Sequence, residues 1–293
     1  MDQLIKKADV LIEALPYIQE FRDSTIVVKF GGSAMESEDH IMGVLEDICF
    51  MECVGMNPVI VHGGGKAISR GMKEEGIAAK FVDGLRVTCE KTISVVEKVI
   101  KGEVNPGIVK ALESLGAKAV AVHGEDIFKV VRKKETCDET GAELDWGFVG
   151  VPEKVDATAV IDLVNKKTIP VVMPLGMGPD GKLHNINADT AAGALAKELK
   201  ARKIAYLSDV PGLLSNPDDP KSLLATLKVS EVEDLIKKGV IAGGMLPKIE
   251  SGVEALHAGV RKVHLVDGTV QHSLLLEIFT DKGVGTEIIS NED

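Results

Sequence analysis

Aromatic side chains are scarce in this chain: Phe, Trp and Tyr make up 3% of 293 residues, with a single Trp. Any core must be filled by Val, Ile, Leu and Ala, and the 45% hydrophobic content supplies enough of them. Positive charge is also short, at 34 Lys and Arg against 45 Asp and Glu, a net −11. That balance argues against a nucleic-acid binder, which presents a basic face. It leaves room for an enzyme of nucleotides, because a small site can be locally basic. No apolar run approaches the roughly 18 residues of a membrane-spanning helix, so no membrane partner is expected. The start, Met1-Asp2-Gln3, lacks the basic and apolar regions of a signal peptide, so a cytoplasmic location is expected. Cysteine is limited to Cys49, Cys53, Cys89 and Cys137, without metal-ligand spacing. Buried reduced thiols are expected, and no metal site. Also missing are a Walker A loop, a G-x-G-x-x-G turn, an H-E-x-x-H helix, a Cys-x-x-Cys pair and a Ser–His–Asp motif.

What is present is a pair of glycine turns. Lys29-Phe30-Gly31-Gly32-Ser33 follows the β-branched run Thr25–Val28, and His62-Gly63-Gly64-Gly65-Lys66 follows Val59–Val61. The stretch 37–55 between them reads as a crossover helix. Parallel strands with right-handed crossovers bring both turns to one sheet edge. Glycine lets backbone N–H groups approach an anion at an edge where ligands of such sheets bind. His62 reads as a strand-end structural residue rather than a base.

At 293 residues the chain suits two domains or one large α/β unit. Residues 3–22 read as an amphipathic helix that Pro16 should kink. Strands are expected at 25–30, 59–62, 119–122, 127–132, 148–149, 169–173, 203–208, 262–266 and 286–289. Helices are expected at 66–75, 90–101, 105–115, 155–166, 189–200, 230–238, 246–258 and 270–279. The polar stretch 132–144 reads as a hairpin tip. This alternation predicts an α/β fold: an open, mainly parallel sheet with helices on both faces, divided near residue 200.

Four further strings could carry chemistry. Gly84-Leu85-Arg86-Val87-Thr88 offers a guanidinium that can fork onto a carboxylate. Asn185-Ile186-Asn187-Ala188-Asp189 opens a helix, where Asn187 and Asp189 suit capping as well as ligand contact. Leu207-Ser208-Asp209-Val210-Pro211-Gly212-Leu213 ends a strand, as a nucleotide pocket or an ordinary turn. Gly243-Gly244-Met245-Leu246-Pro247-Lys248 starts a helix and turns a lysine back toward its glycines. Each alone has a bland alternative: a tight turn, a solvated cation or a helix cap.

Together, in this order and spacing, the six strings resemble the amino-acid kinase family over nearly the whole chain, and within it the branch acting on N-acetyl-L-glutamate. The departure is Lys66-Ala67, where many relatives carry Pro-Gln. The resemblance implies ATP-dependent phosphorylation of the γ-carboxylate of N-acetyl-L-glutamate, the second step of arginine synthesis. It implies Lys29 and Lys248 as catalytic cations and Asp189 as the residue positioning both. Gly64, Gly65, Arg86, Asn185 and Asn187 would meet the acid. Gly31, Gly32, Ser208, Asp209, Val210, Gly212, Leu213, Gly243, Gly244 and Met245 would meet ATP, which carries Mg²⁺ as part of the substrate. The resemblance further implies an N-terminal oligomerisation helix (1–23), a substrate-binding and dimerising lobe (24–200) and an ATP lobe (201–293). It extends to a hexameric trimer of dimers inhibited by arginine, with Tyr17, Lys197, His264, Glu277 and Gly283 at the effector site. A signalling protein of the PII type is the remaining implied partner. Rival readings are a sibling carboxylate or carbamate kinase, a silent arginine or nucleotide sensor and, more distantly, a nicotinamide dehydrogenase.

Overall fold

The computed structural model describes residues 2–291 except Glu36, Asp83, 137–142, Pro217 and 281–282. Its strands are β1 (Thr25–Phe30), β2 (Asn57–His62), β3 (Phe81–Val82), β4 (Leu85–Arg86), β5 (Ala119–Val122), β6 (Phe128–Thr136) and β7 (Glu143–Val155). They continue with β8 (Ile169–Val172), β9 (Leu175–Met177), β10 (Leu183–Ile186), β11 (Lys203–Ser208), β12 (Thr226–Lys228), β13 (Lys262–Asp267) and β14 (Thr286–Ile289). The helices are α1 (Asp2–Phe21), α2 (Glu38–Cys53), α3 (Gly65–Glu74), α4 (Glu90–Val99), α5 (Asn105–Ser114) and α6 (Gly124–Ile127). After them come α7 (Thr158–Asn165), α8 (Ala188–Glu198), α9 (Val229–Lys237), α10 (Met245–His257) and α11 (Ser273–Ile278). No helix among the described residues is long and apolar enough to cross a membrane.

Eight strands form the central sheet in the order β12-β14-β13-β11-β1-β2-β8-β5. The six from β13 to β5 run parallel, and β14 turns antiparallel to β13. Side chains alternate between two apolar layers, as a pleated strand requires. On β1, Ile26, Val28 and Phe30 enter the layer beneath α2, α3, α4, α5 and α11. Val27 enters the opposite layer, with α7, α8 and α10. Lys29 shares the parity of Val27, so it emerges beneath α8 and α10. His62 shares the parity of Ile60 and points to the α5 side. This alternation sends the two site-bearing strand ends to opposite faces.

Sequence reading and structure differ in instructive places. β7 is a 13-residue strand rather than a short run at 148–149, and α7 begins at Thr158 rather than near 155. Gly147, Gly150 and Pro152 disguise the strand. Pro152 is accommodated opposite Val130, where the β6–β7 pairing shifts register. With β6, β9 and β10, β7 closes a small barrel. The tip of the β6–β7 hairpin, 137–142 with Cys137, lies outside the described residues. The expected helices 90–101 and 105–115 are one helix: α4 passes through a wide π turn, Ile100–Val104, into α5. Helix α1 continues across Pro16. Helix α11 starts only at Ser273, because His272 before it sits at φ 57°. The thiols are not buried as expected: Cys49 is half-buried, and Cys53 and Cys89 are exposed at helix ends.

Candidate active site

Three charged side chains meet at the carboxyl edge of the sheet. Lys29 Nζ lies 3.0 Å from Asp189 Oδ1, and Lys248 Nζ lies 3.0 Å from Asp189 Oδ2. Lys29 comes from the last turnable position of β1, and Asp189 from the first turn of α8. Asn187 fixes that turn, its Oδ1 accepting from the N–H groups of Asp189 and Thr190 at 2.8 and 3.1 Å. Lys248 is one turn into α10, which begins after Gly243 at φ 54° and Gly244. Its Nζ also donates to Gly244 O at 3.3 Å.

Lys29 and Asp189 are buried. Burial drives the Lys29 ammonium below its ordinary range, and Asp189 opposes that shift. Burial would raise Asp189, yet the two lysines outweigh it and hold the carboxyl below its ordinary value. One carboxylate between two ammonium groups leaves a local excess of positive charge in a low-dielectric setting. An incoming anion would complete it.

The two glycine turns touch. Gly63 N–H donates to Phe30 O at 2.7 Å, and β1 and β2 end in register. A Cβ on Gly31 would lie 3.1 Å from Lys29 Nζ, and one on Gly64 would lie 2.6 Å from Ile100 Cδ1. A larger residue at Gly64 would have to displace the Ile100 side chain, and one at Gly31 would crowd the end of Lys29. Gly64 and Gly65 border a cavity of about 410 Å³ that Lys29, Asp189, Arg86 and Asn185 also line.

Arg86 is buried against this cavity. Its Nη2 donates to Gly65 O at 2.9 Å and Ser69 Oγ at 2.8 Å, and the guanidinium sits 4.6 Å from the Phe81 ring centroid. Among the described residues no carboxylate pairs with it. Burial lowers its affinity for its proton. A buried guanidinium held by neutral partners is a prepared seat for a carboxylate. The positions that sequence reasoning missed here are Ser69, Phe81, Leu85 and Val149, which also line the cavity. The one local signal for the β3–β4 ribbon that presents Phe81 is Gly84, which adopts φ 75°.

The Ser208–Leu213 string follows β11, the neighbour of β1. Asp209 is exposed, and its charge acts on Lys29. Gly212 and Leu213 pack instead on Thr286, whose Oγ1 accepts from Leu213 N–H at 2.8 Å, and the Leu213 side chain lies in the core. Val210 is half-buried, and Gly243, Gly244 and Met245 open α10 beside Lys248. None of these residues lines the 410 Å³ cavity.

A second cavity, about 820 Å³, lies under α1 and brings together Tyr17, His264, Glu277 and Gly283. Lys197 is exposed on α8 and does not line it. Glu277 is already engaged: His264 Nδ1 is 2.7 Å from Oε1, and Val284 and Gly285 N–H groups donate to Oε2 at 2.7 and 3.0 Å. Lys203, absent from the sequence reading, lines this cavity too. Burial, then the neighbouring Lys262, pulls its pKa down to about 8.

A doubly wound sheet whose carboxyl edge holds two lysines on one aspartate, with no Walker loop, defines a phosphotransferase class distinct from the P-loop enzymes. The chain belongs to the amino acid kinase family, whose model matches residues 24–267. An acetylglutamate kinase from Akkermansia muciniphila is 48% identical, covering 99% of this chain and 98% of that protein. Another, from Symbiobacterium thermophilum, is 46% identical, covering 98% and 99%. Among solved structures, an N-acetylglutamate synthase from Neisseria gonorrhoeae, complexed with coenzyme A and N-acetyl-glutamate, superposes with TM-score 0.83 at 28% identity. The match covers 96% of this chain and 63% of the synthase, so this chain spans under two thirds of that protein. Giardia carbamate kinase shares the fold at TM-score 0.68 and 18% identity, over 92% of this chain and 99% of that one.

Proposed function

We propose that the enzyme transfers the γ-phosphoryl group of ATP to the γ-carboxylate of N-acetyl-L-glutamate, forming N-acetyl-L-glutamyl 5-phosphate in arginine biosynthesis. The observation that carries this reading is one cavity lined both by the buried Arg86, which has no carboxylate partner among the described residues, and by Lys29 and Asp189, the latter also paired with Lys248. The names of the near full-length relatives support it.

The acceptor carboxylate has a reference pKa near ~4.3 and is ionised at neutral pH, so no general base is required. The difficulty is bringing two anions together while negative charge spreads over the phosphoryl oxygens. Lys29 and Lys248 meet that charge, and Asp189 holds both ammonium groups in place before substrate arrives. Backbone N–H groups of Gly32, Gly64 and Gly65 serve the acceptor and the group in flight. Arg86 clamps the α-carboxylate with Asn185 beside it. The Nδ2 of Asn187 remains for the acid while its Oδ1 caps α8. The acyl group rests on Leu85 and Val149. ATP enters as its Mg²⁺ complex along Ser208–Val210 and Gly243–Met245. In this reading residues 24–200 handle the acid and residues 201–293 the nucleotide, in the cytoplasm.

Arg86→Ala should raise KM for N-acetylglutamate about 10- to 100-fold, the size of one lost charge-assisted pair, with a smaller fall in kcat. Arg86→Lys should recover only part, since an ammonium cannot fork onto a carboxylate. Steady-state kinetics with each substrate varied in turn checks this. An unchanged KM in Arg86→Ala would remove the clamp from the mechanism.

Feedback inhibition by arginine is the second part of the proposal, supported by the 820 Å³ cavity. Because His264 and the 283–285 turn already occupy Glu277, its carboxylate would orient that turn and meet a guanidinium only through a free lone pair. Helix α1 exposes Ile5, Leu11, Ile12 and Leu15 at 51, 67, 68 and 43%, an apolar stripe along one side that suits a second copy of α1 in a hexamer. Deleting residues 1–20 spares the buried Phe21 and should leave dimers with reduced arginine inhibition. Light scattering and inhibition curves measure both, and a hexamer still fully inhibited would refute this part. A PII-type partner would act on the assembled ring.

A further inference from the structure

His62 is fully buried at the end of β2, one residue before the glycines that border the cavity. Its Nδ1 lies 2.7 Å from Gly63 O, and its Nε2 lies 3.0 Å from Asn105 Nδ2. The same Asn105 amide nitrogen donates to Val171 O at 2.9 Å. That second bond fixes the asparagine: a flipped amide would put oxygen against oxygen. Nε2 of His62 must then accept, so the ring proton is on Nδ1 and is donated to Gly63 O. Burial agrees, pulling the imidazole pKa down to about 4 and keeping the ring neutral.

The consequence lies in one peptide plane. The C=O of Gly63 and the N–H of Gly64 belong to the same trans peptide and point in opposite directions. With its C=O held on the α5 side of the sheet, this peptide turns the Gly64 N–H away from α5, toward the face where Lys29 emerges. Among the described hydrogen bonds, Gly64 N–H has no protein acceptor. The wide π turn Ile100–Val104 makes the arrangement possible, since it carries Asn105 inward at the start of α5. Asn105 Oδ1 is left buried without a partner, a cost that marks the amide as held for its donors.

We propose that His62 and Asn105 are positioning residues, locking the Gly63–Gly64 peptide so that the Gly64 N–H is a prepared donor to the reacting anions. The inference rests on the proposed phosphoryl transfer. Its test uses two amide replacements that divide the ring's two jobs. In His62→Asn the side-chain nitrogen falls near Nδ1 and can hold Gly63 O. In His62→Gln the terminal amide falls near Nε2, where its oxygen can accept from Asn105, and nothing is left to hold Gly63 O. His62→Asn should keep kcat within about threefold of wild type, while His62→Gln should lose about 10- to 100-fold at nearly unchanged KM, the cost of a misplaced donor. Equal kcat in the two variants, or a loss confined to KM, would overturn the proposal. A purely structural histidine would give equal losses with parallel falls in melting temperature. Nitrogen NMR of the wild-type imidazole answers even where a variant does not fold: protonated Nδ1 is required, and protonated Nε2 contradicts it. Absence of wild-type turnover with N-acetylglutamate would instead defeat the proposed function and leave the tautomer measurement standing.

Discussion

Lys248→Ala should lower kcat by about 100- to 1000-fold at saturating substrates, the usual cost of removing one prepared donor from a transition state. The protein stays folded, because Lys248 is half-buried and its helix is secured elsewhere. Ile249, Ala255 and Leu256 sit in the core, and Ser251 Oγ meets Tyr206 OH at 2.9 Å. KM for N-acetylglutamate should move little, since the proposed seat for the acid is Arg86 and not Lys248. Lys248→Arg restores little of the loss: its planar fork cannot reproduce a compact ammonium 3.0 Å from Asp189 Oδ2. Steady-state kinetics beside a thermal melt separates these outcomes. A variant turning over near the wild-type rate would exclude Lys248 from the chemistry. Lys29→Ala carries the same expected loss in kcat.

Asp189→Asn has the second large effect, and there activity and stability fall together. The carboxylate is the counter-charge of both lysines at 3.0 Å, and Lys29 is buried beside it. Removing one partner of a buried ion pair typically costs about 3–5 kcal/mol. A change of that size lowers the melting temperature by about 5–15 °C in a chain this long. With the carboxylate gone, burial and the charge of Lys248 act on Lys29 against only the exposed Asp209, and its proton affinity drops lower still. The variant therefore loses an aligned ammonium and much of its charge, and kcat falls at least about 100-fold. Calorimetry and kinetics on one preparation check both arms. A stable, active Asp189→Asn protein would mean the lysines are positioned by something else.

Much of this site was legible because its parts are local strings on regular elements. The run Thr25–Phe30 has one parity pattern, so a strand ending in Lys29 beside Gly31 could be read directly. Asn187 announced the start of α8, and Gly243-Gly244 the start of α10. The distance between Asp189 and Lys248 was not legible, because 59 residues separate them and only the packing of α8 against α10 brings them together. The barrel was hidden for a different reason: β9 and β10 are three and four residues long, and β7 is interrupted by glycines and Pro152. The role of His62 could be read only as structural, since its partner Asn105 arrives from 43 positions away through a π turn that no periodicity predicts. In the second cavity, Tyr17, His264, Glu277 and Gly283 lie together as the family resemblance implied, which no local string could show. Lys197 has the charge such a site would want but projects from the exposed face of α8.

The central claim is a choice of acceptor, and trapping the product tests it most directly. An acyl phosphate formed in the presence of hydroxylamine is captured as a hydroxamate while ADP accumulates in equal amount. The account predicts stoichiometric hydroxamate and ADP with N-acetyl-L-glutamate. It predicts little of either with glutamate, aspartate, or bicarbonate plus ammonia, because none presents an acylated α-amino group between Arg86 and the lysine cluster. Comparable turnover with an unacylated acid or with carbamate, or no hydroxamate from N-acetylglutamate, would contradict it.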